Sequence, residues 1–276
     1  MVIFRSFFLS VFVLLNICAC FAQSESKADS AIVVFGDTRT NHEVHRAIVK
    51  DIMLYKPVAV FHTGDLVFNG KKNSAWSLFR EISKPIIDSS RFYPSFGNHE
   101  RHSIIMSKDF SVPNNGKWYG VNIGKVHFTV IDNYSDFSEG SEQYKWLVND
   151  LASAGSYQFR VVVMHLPVYT SGPHKDKLKK IKKYLLPLFE KYGVAIVFSG
   201  HVHCYEKAFS NHIYYITTGG GGAPLYPKVN DPPESQLYVR TYNFCVLTIK
   251  DNTLKVQALD IDCKVLDEFS IKADSK

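Results

Sequence analysis

The chain has 276 residues, of which 46% are hydrophobic and 21% charged, and carries a formal net charge of +6. This is the composition of a soluble globular protein, and it excludes a repeat array or a low-complexity chain. Without its N-terminal segment roughly 250 residues are left, enough for one large core and at the upper edge of a single domain.

The chain begins with Arg5 as a short positive region, an apolar run from Phe7 to Leu15, and a small-residue exit at Cys18-Ala19-Cys20-Phe21-Ala22. This layout predicts a secretory signal over residues 1–22, cleaved after Ala22. Ile17-Cys18-Ala19-Cys20 also loosely resembles a bacterial lipobox, in which Cys20 would be lipidated and the polar linker 23–30 would tether the protein to a membrane. An uncleaved anchor is the third reading, for which the apolar run is short. Export is the expectation, as a secreted or periplasmic protein or as a membrane-attached lipoprotein.

From residue 31 to 272 a single domain is expected. Short β-branched or aromatic runs predict strands at Ala31–Phe35, Val58–Phe61, Phe92–Ser95, Val126–Ile131, Phe159–Met164, Val194–Ser199 and Ile213–Thr217. Apolar residues at helical spacing predict helices at Asn41–Tyr55, Ser74–Ile82, Ser141–Ala154 and Asp176–Tyr192. The last of these carries Lys175, Lys177, Lys179, Lys180, Lys182 and Lys183 around an apolar stripe, which reads as a solvated basic face or, less simply, as a field that attracts anions. From Tyr242 onward three consecutive strands are expected, Tyr242–Ile249, Leu254–Leu259 and Val265–Ile271, the first two joined by a hairpin turn at Asp251-Asn252. Alternating elements followed by a meander predict an α/β core with mixed sheets layered between helices. Cys204, Cys245 and Cys263 are an odd set; a bond between the last two competes with three partly buried thiols.

The polar residues with chemical promise come directly after predicted strands: Gly36-Asp37, Gly64-Asp65, Gly97-Asn98-His99, His165 and Gly200-His201-Val202-His203. In α/β sheets, loops at the carboxyl ends of strands converge on ligands. Two aspartates, an asparagine and three histidines form an oxygen and nitrogen donor set that suits zinc, manganese or iron rather than a cysteine-rich structural site.

These motifs, in this order and with Gly97-Asn98-His99-Glu100 intact, resemble those of calcineurin-like metallophosphoesterases. The stretch Gly200 to Lys207 and the run Gly219-Gly220-Gly221-Gly222-Ala223-Pro224-Leu225-Tyr226 are similar to the purple acid phosphatase branch. The resemblance covers about Ala31 to Ile271. It implies a layered sandwich of two mixed β-sheets flanked by helices. It also implies two divalent or trivalent metal ions, one held by Asp37, Asp65 and His203, the other by Asp65, Asn98, His165 and His201, with Asp65 shared. Such a pair clamps phosphoryl oxygens and activates water near neutral pH. His99 matches the family histidine that contacts the leaving group. The implied activity is hydrolysis of a small phosphorylated substrate, mono- or diester, with no nucleic acid partner expected. A metal-binding module without turnover is the alternative.

Two positions depart from the family. Arg39 stands where many members carry a histidine ligand, and Phe68 where the purple enzymes carry a tyrosine ligand, so the first metal keeps three protein ligands. Arg39 could clamp the substrate phosphate bidentately or form a surface ion pair. Asn41 reads as a helix cap, and Asn41, His42 and His45 lie close enough in sequence to line the pocket. His62, His102 and His127 read as structural or solvent-facing.

Overall fold

Ile32–Phe35 (β1) places Ile32 and Val34 on one face and Val33 and Phe35 on the other, and all four are buried. A strand buried on both faces needs layers above and below it. The computed structural model, which describes residues 31–100, 103, 110 and 112–273, supplies both. The expected signal at 1–22, the linker at 23–30 and His102 lie outside the described residues.

The first sheet sets β1, Ala59–His62 (β2) and Arg91–Pro94 (β3) in parallel. Tyr119–Ile123 (β4), Val126–Val130 (β5), Phe159–Val163 (β6), Ile196–Ser199 (β7), Tyr205–Ser210 (β8), Ile213–Thr218 (β9) and Ser235–Val239 (β10) make the second, ordered β10-β8-β9-β7-β6-β5-β4. Its centre, β5-β6-β7-β9, is parallel. Asn243–Lys250 (β11), Thr253–Asp260 (β12) and Val265–Lys272 (β13) then return to the first sheet as an antiparallel meander beside β1.

The sheets pack face to face through Ile32, Val34, Phe61, Phe128, Val161 and Phe198. Phe61 stacks on Phe128 with ring centroids 4.2 Å apart, an arrangement in which truncation to alanine costs about 3–5 kcal/mol. His42–Leu54 (α1) and Asn73–Ser89 (α2) cover the outer face of the first sheet with Ile48, Ile52, Trp76, Phe79 and Ile86. Glu142–Ser153 (α3), Leu178–Tyr184 (α4) and Leu186–Lys191 (α5) cover the second with Leu147, Leu151, Ile181 and Phe189. The result is a four-layer sandwich of two mixed sheets between helices.

Two helices differ from expectation. The stretch Asp176–Tyr192 is not one helix: it starts two residues later and breaks at Leu185, because Pro187 has no N–H to continue the ladder. Conversely, α2 runs past Ile82 through Pro85, since Ile82 and Ile86 lie one turn apart on the same buried face. Cys204 and Cys245 are buried free thiols, so Cys245 is not bonded to Cys263. Among the described residues, no helix is long and apolar enough to cross a membrane.

Candidate metal centre

The loops after β1, β2, β3, β6 and β7 leave the carboxyl ends of parallel strands and meet at one edge of the sandwich. They bring Asp37, Asp65, Asn98, His165, His201 and His203 together. Asp37, Asp65 and His203, all buried, each offer a ligand atom within 4.8 Å of the others, with His203 Nε2 3.5 Å from Asp37 Oδ1. A second group abuts the first. His165 Nε2 and His201 Nδ1 each lie 3.1 Å from Asn98 Oδ1 and 3.2 Å from one another. Asp65 joins the groups, because its Oδ1 is 3.6 Å from His165 Nε2.

The backbone is bent to achieve this. Asp37, Asp65 and His201 all have left-handed φ values of 61°, 56° and 67°. Non-glycine residues held in this region gather at functional sites, where the surrounding structure over-determines them. Neighbouring glycines make room: a side chain on Gly97 would collide with Asp65, and one on Gly200 with Asp37. Glu100 pins the second loop by accepting N–H bonds from Asp65, Val67 and Gly97 at 2.8, 3.1 and 2.9 Å. Burial and the Asp65 charge push its carboxyl up to about 8. Beneath the loop His62 accepts from Gly64 N–H through Nδ1 and donates through Nε2 to Thr38 Oγ1. Burial keeps that ring neutral.

The donor atoms fit cations. His165 donates its Nδ1–H to Thr63 O at 2.9 Å, and His203 donates its Nδ1–H to Pro224 O at 2.7 Å, leaving each Nε2 as a bare acceptor. His201 donates from Nε2 to Asp176 Oδ2 at 2.8 Å, so its Nδ1 is the bare acceptor. Burial, then the neighbouring His165, pushes the His201 ring down to about 4, which keeps it neutral. His165 Nε2, His201 Nδ1 and Asn98 Oδ1 are therefore three acceptors in mutual contact, and Asp37 and Asp65 are two buried carboxylates sharing one space. Both arrangements offer their electron pairs to positive ions.

His99 and Arg39 border the cluster. His99 donates its Nδ1–H to Phe68 O at 2.6 Å, which turns Nε2 toward Asp65 Oδ2, 3.7 Å away. Arg39 Nε lies 3.4 Å from Asp65 Oδ2 and is buried without a hydrogen-bond partner. Phe68 is 62% exposed, with its ring against His99. Asn41 accepts from Val44 N–H as the cap of α1, His42 and His45 line a cavity of about 70 Å³ beside Arg39, and His127 pairs with Asp150 away from the site.

Four neighbours were given no role from the sequence, although Tyr226 closes the glycine-rich run. Asp176 and His174 flank His201, Tyr226 stacks on His203 with centroids 4.2 Å apart, and the Tyr134 hydroxyl donates to Asn98 Oδ1 at 3.4 Å. None sits in a strand-end motif. Asp176 was hidden because helical spacing counted it as the first residue of a helix.

Residues 30–205 match the family model of calcineurin-like phosphoesterases, and the chain belongs to that family. Within the family it is similar to purple acid phosphatases. It is 30% identical to purple acid phosphatase 18 of Arabidopsis thaliana over 203 residues, 63% of this chain and 46% of that relative. Probable inactive purple acid phosphatase 1 of the same plant is 28% identical over 309 residues, 88% of this chain and 50% of that relative. The chain thus spans about half the length of the curated relatives it matches. The structure of purple acid phosphatase PPD1 from yellow lupin, Lupinus luteus, seeds shares the fold with a TM-score of 0.80 at 22% identity, over 89% of this chain and 54% of that one.

Proposed function

We propose that the chain hydrolyses phosphate esters at a pair of metal ions. Asp37, Asp65 and His203 would hold one, Asp65, Asn98, His165 and His201 the other. The observation that carries this reading is the convergence of both donor groups on Asp65, within a chain of the calcineurin-like phosphoesterase family. The donor set suits zinc, manganese or iron. When bound, such ions polarise phosphoryl oxygens and lower the pKa of water enough to yield a nucleophile near neutral pH.

The chain's own groups do the rest. Arg39, whose Nε faces Asp65 Oδ2 at 3.4 Å, would hold the ester over Asp65 through its guanidinium. With its Nδ1–H bonded to Phe68 O, His99 presents Nε2, which in the doubly protonated imidazolium would give its proton to the departing alkoxide oxygen and leave the ring neutral. Both act on the same phosphoryl group, from the rim that carries Asp65 Oδ2. The positive and apolar start of the chain supports export of this enzyme, secreted or tethered by lipid at Cys20.

A metal-binding module without turnover is the second reading. It is favoured by the three-ligand first group and by a relative named as probably inactive. Release of p-nitrophenol from p-nitrophenyl phosphate and from its bis ester, with zinc or manganese and with chelator, separates the two. Metal-dependent release from either ester supports hydrolysis; metal binding without release from both supports the module.

A further inference from the structure

The three metal-facing histidines are not held alike. His165 and His203 each spend their far nitrogen on a backbone carbonyl, Thr63 O and Pro224 O. His201 spends its far nitrogen on a side-chain carboxylate, Asp176 Oδ2 at 2.8 Å. Asp176 comes from a distant segment. Lys177, next to it, takes a left-handed φ of 53°, and α4 begins only at Leu178, which frees the Asp176 side chain from the helix and lets it reach back. The Asp176 side chain is 60% exposed, while that of His201 is 12% exposed, so the contact closes the site on its solvent side.

A neutral imidazole carries one proton, and the partner of one nitrogen decides which nitrogen keeps a lone pair. His201 can serve the Asn98–His165 group only through Nδ1, the atom 3.1 Å from Asn98 Oδ1. Its Nε2 meets a side-chain carboxylate where the other two rings meet backbone carbonyls, so without Asp176 the ring could hold its proton on either nitrogen. A carboxylate on a ligating histidine fixes tautomer and ring angle and raises its basicity, and removing such a partner costs 10–100-fold in metal affinity.

We propose that Asp176 is a positioning residue for the metal centre: it holds His201 in the Nε2–H tautomer, so that Nδ1 is always presented to the second ion. The role of Nδ1 as a ligand rests on the dinuclear reading above. Asp176 touches neither the ion nor the substrate in this assignment and acts only through His201.

The test uses the full chain, its Asp176→Ala variant and its Asp176→Glu variant, which can restore the contact. Ring nitrogen spectra of ¹⁵N-histidine-labelled, metal-free protein read the tautomer, and zinc competition with a chelator reads affinity. Wild type should show His201 protonated at Nε2. Asp176→Ala should show a mixture of tautomers and a 10–100-fold loss at the tighter zinc site, with an unchanged metal-free melting temperature, and Asp176→Glu should recover most of the affinity. An unchanged tautomer and affinity in Asp176→Ala would overturn the proposal. So would an extra zinc equivalent in wild type that vanishes in Asp176→Ala, because Nε2 would then bind metal together with His174 and Asp176. Correct tautomer behaviour without zinc binding at the tighter site would instead sink the dinuclear reading and leave the Asp176–His201 contact standing.

Discussion

Asp37 and Asp65 are both buried, both in left-handed backbone conformation, and each offers an oxygen within 4.8 Å of the other and of a His203 nitrogen. Two carboxylates so placed attract a cation. Asp37→Asn keeps the shape and the acceptor for His201 N–H while removing one charge. It should bind zinc more weakly, so the rise in melting temperature that saturating zinc gives the wild type should shrink. Calorimetry with and without zinc checks this; an undiminished zinc-induced rise contradicts it.

The glycines beside these aspartates should be equally sensitive. A methyl at Gly97 meets Asp65, and one at Gly200 meets Asp37, whereas a methyl at Gly155 meets nothing. Gly97→Ala and Gly200→Ala should each cost about 1–3 kcal/mol of stability and displace a ligand. Gly155→Ala should leave zinc affinity unchanged. Urea unfolding and zinc titration of the three variants decide it.

Much of this site was legible because each donor follows a strand, and strand ends are marked by β-branched and aromatic runs closing on Gly, Asp or His. Inner strands such as Phe159–Val163 and Ile196–Ser199 announce themselves by continuous apolar residues. Three strands did not. Tyr119–Ile123 hides behind Gly120 and Asn122, the latter exposed; Tyr205–Ser210 begins directly after the histidine motif; and Ser235–Val239 is an edge strand with little buried surface. The contacts of Asp176 and Tyr226 with the site histidines were illegible for another reason. Their partners are 25 and 23 residues away, in His201 and His203, and only the packed loops bring them together.

His45 gives the fold a pH dependence separate from the metal centre. Burial, with His42 and Arg46 nearby, pushes its ring down to about 3, and it sits against Ser83 Oγ at 3.1 Å. The folded pKa lies below the unfolded value, so the unfolded chain takes the extra proton as pH falls. Stability is complete above about pH 6.5 and declines toward pH 3; at pH 5 this residue should already cost about 2 kcal/mol. Metal-free His45→Gln should lose one proton's worth of slope between pH 6 and 4 in urea unfolding. An identical slope in the variant would place the proton uptake elsewhere.

The two ions should differ in affinity. On the proposed assignment the first would have Asp37, Asp65 and His203, with Phe68 turned outward at 62% exposure, and the second Asp65, Asn98, His165 and His201. Dialysis against a mild chelator should remove one equivalent first, with any phosphatase activity falling in step and returning on metal addition. Calorimetric titration should resolve two unequal sites; equal affinities would mean that another residue completes the first.

On the proposed assignment Asp65 stands between two ions. Anomalous diffraction from crystals soaked in zinc or manganese locates those ions directly. Two peaks about 3.5–4 Å apart should flank Asp65, one against Asp37 and His203 and the other against Asn98, His165 and His201. A single peak, or peaks that leave Asp65 outside the coordination of either ion, would contradict it.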